Sequence, residues 1–61
     1  METLRILVAE DHPLFRKGMI SLLSSVPEFE VVGEATTGEA AVARAAQLQP
    51  DVVLMDCRCQ R

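Results

Sequence analysis

Two nearly continuous apolar segments of this chain each end in acidic residues. The first covers residues 4–9 and ends abruptly in Glu10 and Asp11, and the other covers residues 51–56 and ends in Asp56. A near-continuous apolar run of this length is typical of a strand that is buried on both faces of a parallel sheet. Both segments are therefore predicted to be buried strands.

A weaker apolar segment lies between them, at residues 29–35. Its apolar core is short (Val31, Val32) and it includes Gly33, which favours a strand at the edge of a sheet. Strands that alternate with helices pair in parallel through right-handed crossovers. We therefore predict an α/β fold, a βαβαβ unit with a three-stranded parallel sheet in the order 2-1-3 and the helices on both faces.

The two intervening segments carry helical periodicity and recognisable start and stop signals. Asp11 is placed to cap the first helix, Pro13 suits its first turn, and Pro27 ends it. Thr36 and Glu39 have capping-box spacing at the start of the second helix. The apolar positions of the first helix recur at helical spacing and predict its buried face: Leu14, Phe15, Met19, Ile20, Leu22, Leu23 and Val26.

Composition and charge narrow the possible functions. With 61 residues there is room for one domain, and a domain of this size buries only about 60% of its unfolded surface. A net charge of −3 and the absence of Trp and Tyr argue against direct contact with nucleic acid. The apolar run at residues 6–9 is too short for a membrane span or a signal peptide. We expect a cytoplasmic chain in which Cys57 and Cys59 are free thiols.

The acidic residues converge in this topology. Parallel strands point the same way, so Glu10, Asp11 and Asp56 leave adjacent strands about 5 Å apart, at the switch point where open α/β sheets bind ligands.

Carboxylates 4 Å apart repel by about 4 kcal/mol at an effective dielectric of 20. Oxygen ligands with room for water favour Mg²⁺. Such an ion could neutralise an incoming phosphoryl group while one carboxylate attacks phosphorus. Acids past strand ends also serve as caps and solvated turn residues, but three at one edge favour a site.

Three segments carry a family resemblance. They are ILVAEDHPLFRKG (6–18), VVGEATTGEAA (31–41) and PDVVLMD (50–56), and in this order and spacing they resemble the first half of a bacterial two-component response-regulator receiver domain. The likeness is to regulators with a C-terminal helix-turn-helix output domain for transcription, and it covers residues 4 to 56. The truncated receiver fold is flavodoxin-like.

The resemblance implies specific roles for the acids. Asp56 is the phosphoacceptor that takes a phosphoryl group from a histidine kinase. Glu10 and Asp11 hold the Mg²⁺ together with Asp56, and the backbone carbonyl of Arg58 completes the metal site. As a phosphoacceptor domain, the chain is not expected to be a stand-alone enzyme.

The sequence departs from the family pattern after Asp56. The family usually continues with an apolar residue, any residue, Met-Pro and a glycine-bearing loop, whereas residues 57–61 are CRCQR. We therefore expect residues 1–56 to be a partial receiver domain and residues 57–61 a polar tail outside the family pattern. The hydroxyl residue and the lysine that grip the phosphoryl group are not among the 61 residues, so slow or absent phosphotransfer is expected. The third strand, residues 52–55, becomes an exposed edge that favours a homodimer.

The same residues allow other interpretations. The main alternative is a non-catalytic, self-associating α/β half-domain, and shared Mg²⁺ binding by the acids discriminates between the two. A stand-alone enzyme lacks a general base or phosphate clamp, and the first strand-to-helix turn has no glycine, which disfavours dinucleotide binding. Cys57 and Cys59 are weak evidence for a metal site. His12 is interpreted as a helix-start residue, and Met19 and Met55 as core residues.

Overall fold

The computed structural model describes residues 2–55 of the chain. The elements follow the predicted order, with two helices between three strands: β1 (Leu4–Ala9), α1 (Pro13–Ser24), β2 (Phe29–Ala35), α2 (Gly38–Leu48) and β3 (Val52–Met55). The predicted alternation of strands and helices is confirmed. Asp56, which was expected at the end of the third strand, lies outside the described residues.

The sheet has the predicted strand order. All pairings are parallel and the order is β2-β1-β3, so β1 is the central strand. At its carboxyl end Ala9 is in register with both Ala35 and Met55. Leu7 and Val8 are fully buried, as a strand covered on both faces requires. The near-continuous apolar run at residues 4–9 therefore correctly indicated a buried strand, whereas the same prediction is wrong for residues 52–55, which alternate between half-buried and exposed positions.

A β-bulge interrupts the pairing of β1 with β2. Ile6 is in register with Val31 and Leu7 with Gly33, which leaves Val32 as the extra residue. A Cβ atom added at Gly33 would lie 2.6 Å from Cδ1 of Leu48 and 3.2 Å from Cδ1 of Leu7. The absence of a side chain at this position thus permits the close approach of α2 to the sheet.

The helices lie on opposite faces of the sheet, as predicted. Ala35 of β2 packs with Ala41 of α2, and its neighbour Glu34 contacts Arg16 of α1. Consecutive residues of a strand point to opposite faces. The small residues of α2 allow close packing, and Ala41 is almost completely buried.

The predicted helix caps are wrong by one residue. The N-cap of α1 is His12 rather than Asp11, and the side chain of His12 makes no capping hydrogen bond. The N-cap of α2 is Thr37 rather than Thr36, and its hydroxyl accepts from the amide of Ala40 at 3.0 Å. In both cases the helix begins one residue later than the sequence signal suggested. The interpretation of His12 as a helix-start residue is confirmed.

Part of the predicted core is exposed. Leu14, Phe15 and Leu22 are at least half exposed, and so is Met55. The α1 residues line an open groove of about 380 Å³ on the side of the helix away from β2. Helical spacing identifies apolar positions, but only one stripe of α1 packs on the sheet, and within residues 2–55 Leu14 and Leu22 of the other stripe stay largely exposed. The interpretation of Met55 as core is wrong because β3 is an edge strand of this sheet.

Candidate functional site

A buried acidic residue lies at the carboxyl end of β1. Glu10 follows directly after β1 and is only 2% exposed. Its amide donates to the carbonyl of Ala35 at 3.0 Å, which extends the β1–β2 pairing by one step. A buried carboxylate requires polar partners, and Oε2 of Glu10 accepts from the amide of His12 at 3.0 Å. Glu10 is therefore held at a defined position at the end of the central strand.

Asp11 lies beside Glu10 but in a different environment. It is exposed, in the turn that leads from β1 into α1. His12 follows as the helix N-cap, and its ring lies 4.8 Å from that of Phe15. Pro13 is the first helical residue, where proline is favoured because it needs no hydrogen-bond acceptor. The sequence Glu-Asp-His-Pro thus places one buried and one exposed carboxyl group in a single turn.

Arg16 connects this turn to the rest of the fold by hydrogen bonds. The guanidinium of Arg16 donates through Nη1 to the carbonyl of Glu10 at 2.9 Å and through Nε to Oε1 of Glu34 at 3.1 Å. The side chain of Arg16 is 17% exposed and that of Glu34 is 55% exposed. Neither Arg16 nor Glu34 was recognised from the sequence. The sequence feature that could have indicated Arg16 is the position of an arginine in the first turn of a helix that follows two acidic residues.

Two of the four predicted site residues lie outside the described residues. The structure places Glu10 and Asp11 together at the carboxyl end of the central strand. Asp56 and Arg58 belong to the part of the chain that it does not describe, so their predicted roles stay predictions. Asp56 follows Met55 in the sequence, and Met55 is in register with Ala9, the residue before Glu10.

The donors that are described suit a hard cation. Glu10 and Asp11 supply carboxylate oxygens, the ligand type that Mg²⁺ prefers. The exposure of Asp11 leaves access to water, and Mg²⁺ usually keeps several water ligands. Within residues 2–55, no group of three His, Cys, Asp or Glu residues is arranged to hold a metal ion. The predicted third carboxylate is that of Asp56.

Comparisons with known proteins identify the family. Residues 6–61 match the response regulator receiver domain family. The chain is 44% identical to the response regulator protein VraR of Staphylococcus aureus over 54 residues, which cover 88% of this chain and 26% of VraR. It is also similar to the signal receiver domain of the response regulator NarL of Mycobacterium tuberculosis, with a TM-score of 0.89 and 45% identity over 92% of this chain and 45% of that one.

The chain therefore belongs to the response regulator receiver domains, the signalling domains of two-component systems. The predicted family and the truncated flavodoxin-like fold are confirmed. The chain spans about a quarter of the length of VraR. None of the helices within residues 2–55 is long and apolar enough to cross a membrane.

Proposed function

We propose that this chain acts in phosphorelay signalling and that Asp56 is its phosphoacceptor. The observation that carries the proposal is the placement of Glu10 and Asp11 at the carboxyl end of the central strand, one step beyond the pairing of Ala9 with Met55. Asp56 follows Met55 in the sequence. Membership of the receiver family supports the same assignment.

In the proposed reaction a carboxylate oxygen of Asp56 attacks the phosphorus of a phosphohistidine on a histidine kinase. A P–O bond forms to Asp56, the P–N bond breaks, and the imidazole nitrogen keeps the electron pair. Glu10, Asp11, Asp56 and the carbonyl of Arg58 would hold Mg²⁺. When bound, the ion would neutralise negative charge on the phosphoryl oxygens. Glu10 is fixed by its hydrogen bonds, and Asp11 faces solvent, from which the ion arrives.

The finer parts of the proposal concern partners and setting. A histidine kinase is the proposed phosphodonor in the cytoplasm, and this segment makes no contact with DNA or a membrane. Tested alone, the 61 residues are expected to be phosphorylated slowly, because the hydroxyl and lysine residues that the resemblance assigns to phosphate binding are not among them. Residues 1–56 are proposed as the receiver portion and residues 57–61 as a polar tail.

Intact-protein mass spectrometry tests the proposed function. The chain is incubated with a small-molecule phosphodonor and Mg²⁺, beside Asp56→Asn as the matched control. We expect the mass of one phosphoryl group to be added to the wild type, and neither to the variant nor to wild type without Mg²⁺. An equal gain in Asp56→Asn would contradict the proposal, and a folded wild-type sample that gains no mass after prolonged incubation would favour the non-catalytic half-domain.

A non-catalytic, self-associating half-domain is the second candidate. It is favoured by the exposure of Val53 and Met55 on β3, the strand at one edge of the described sheet. Unpaired strand edges are templates for pairing with a second copy. This candidate predicts a homodimer but does not require Glu10, Asp11 and Asp56 to bind Mg²⁺ together. The two candidates are therefore distinguished by the affinity for Mg²⁺.

A further inference from the structure

The turn that carries the site acids, residues 10–12, is here called the acidic turn. Arg16 holds both of its ends. The backbone amide of Arg16 donates to the carbonyl of His12 at 2.9 Å, as the first hydrogen bond of α1. Its guanidinium donates to the carbonyl of Glu10, also at 2.9 Å. Arg16 thus binds both the first backbone carbonyl of the acidic turn, that of Glu10, and the last, that of His12.

The second anchor of this guanidinium is β2. Oε1 of Glu34 accepts a hydrogen bond from Nε of Arg16, and Glu34 is in register with Val8 of the central strand. The next residue, Ala35, accepts the amide of Glu10 through its carbonyl. The amide of Glu10 is therefore hydrogen-bonded to the backbone of β2. Its carbonyl is hydrogen-bonded to Arg16, which in turn is bound by the side chain of Glu34 in β2.

The geometry requires an arginine in particular. A guanidinium is a rigid planar group whose donors diverge in fixed directions, so that it can serve two acceptors at once. An exposed ion pair would contribute little by itself. Arg16 is mostly buried, however, and one of its acceptors is a main-chain carbonyl at a nearly inaccessible residue. Loss of the guanidinium would remove a charge-assisted hydrogen bond to that carbonyl.

We propose that Arg16, supported by Glu34, is a positioning residue for the acidic turn. It contacts neither the cation nor the phosphoryl group. By binding the carbonyl of Glu10, it fixes the direction in which the chain leaves β1, and hence the placement of the Glu10 and Asp11 carboxylates. This inference rests on the proposed function for the identity of the cation.

Simple electrostatics predicts the opposite effect for this residue. A guanidinium near two carboxylates repels Mg²⁺, so its removal would by charge alone strengthen Mg²⁺ binding. Positioning predicts weaker binding, because removal of the groups that orient metal ligands typically lowers metal affinity by about 10- to 100-fold. The sign of the change in affinity therefore separates the two roles.

The first arm of the test is calorimetric titration with Mg²⁺. We expect Arg16→Ala to bind Mg²⁺ about tenfold or more weakly than the wild type. Arg16→Lys keeps the charge but loses the planar fork, so it should also bind more weakly. Lys17→Ala is the matched control, because it removes one positive charge from the next, exposed position of α1. Its affinity should stay within about twofold of the wild type, as a screened surface charge predicts.

The second arm needs no metal. Amide hydrogen exchange followed by NMR reports on the bonds from His12 to Glu10 and from Glu10 to Ala35. Arg16→Ala should accelerate exchange at both amides, whereas Lys17→Ala should not. The amide of Val8, in the central strand, should remain slow in both variants and shows that the fold is retained. Should Arg16→Ala fail to fold, Arg16→Lys provides the same two readouts, and Glu34→Ala provides the exchange readout.

The outcomes separate this inference from the proposed function. Unchanged or stronger Mg²⁺ binding in the Arg16 variants, or unchanged exchange at His12 and Glu10, would overturn the positioning role. A folded wild type that binds no Mg²⁺ would contradict the proposed metal site. In that case the exchange comparison still decides whether Arg16 holds the acidic turn.

Discussion

At the scale of single residues, two glycines have opposite surroundings. A side chain at Gly33 would meet Leu48 and the fully buried Leu7, whereas at Gly18, in the middle of α1, no described atom beyond its chain neighbours and the surrounding helix backbone lies within 4 Å of the Cβ position. Gly33 therefore serves close packing between α2 and the sheet. Gly18 has no such role among the described residues, and a glycine within a helix weakens it.

The substitution Gly33→Ala is expected to destabilise the fold by about 1 kcal/mol, because the terminal methyl group of Leu48 must move aside and the contact with the fully buried Leu7 becomes tighter. Gly18→Ala, the matched control, should stabilise the fold by up to about 1 kcal/mol through helix propensity. Urea denaturation of both variants measures the two changes. Equal effects of the same sign would show that the close approach at Gly33 does not constrain the packing.

At the scale of elements, the start of α2 shows what the sequence could and could not predict. Two threonines precede Gly38, and capping-box spacing pointed to the first of them. The structure selects Thr37, because α2 begins at Gly38 and the amide within reach of the Thr37 hydroxyl is that of Ala40. Local spacing predicted that a threonine caps this helix but could not choose between adjacent candidates.

Thr37→Ala should lower the free energy of unfolding by about 1 kcal/mol, since it removes the side-chain acceptor for one of the first helical amides. Thr36→Ala removes the same atoms from an exposed residue without a capping bond, and should change stability by no more than about 0.5 kcal/mol. Thermal unfolding by circular dichroism compares the two. A larger loss in Thr36→Ala would contradict the assigned cap.

The order of the strands was predictable because it follows from burial on both faces. Residues 4–9 and 51–56 are both more apolar than residues 29–35, which placed the second strand outside the other two, and of the two apolar strands only β1 includes buried residues. The exposure of Leu14 and Leu22 was not predictable in the same way. Helical periodicity shows that α1 has apolar stripes, but which stripe is covered depends on the elements packed against it. The bridge from Arg16 to Glu10 and Glu34 joins separate elements, so local patterns could not reveal it.

At the scale of the whole molecule, we propose that β3 is the strand through which two copies of the chain associate. It is an edge strand of the described sheet, and its Met55 is half exposed. We expect self-association through this edge, with a continuous sheet across a two-fold axis or a swapped dimer as the result. Charged residues on edge strands oppose such pairing.

Met55→Lys should therefore shift the chain toward monomer in sedimentation experiments. Val42→Lys places the same charge on an exposed position of α2 and should leave the association unchanged. A folded wild type that remains monomeric at high concentration would contradict association through β3. Equal dissociation by both variants would assign the effect to net charge instead.

We propose that acids at the carboxyl ends of adjacent strands bind one Mg²⁺ together. The most direct measurement is a calorimetric Mg²⁺ titration of the wild type, Asp11→Asn and Asp56→Asn, with Glu30→Gln as a control that removes an exposed charge from β2. We expect one ion per wild-type chain and binding weaker by at least about tenfold, or 1.4 kcal/mol, in both aspartate variants but not in the control. Absence of binding by folded wild-type protein, or equal affinity in all four chains, would contradict it.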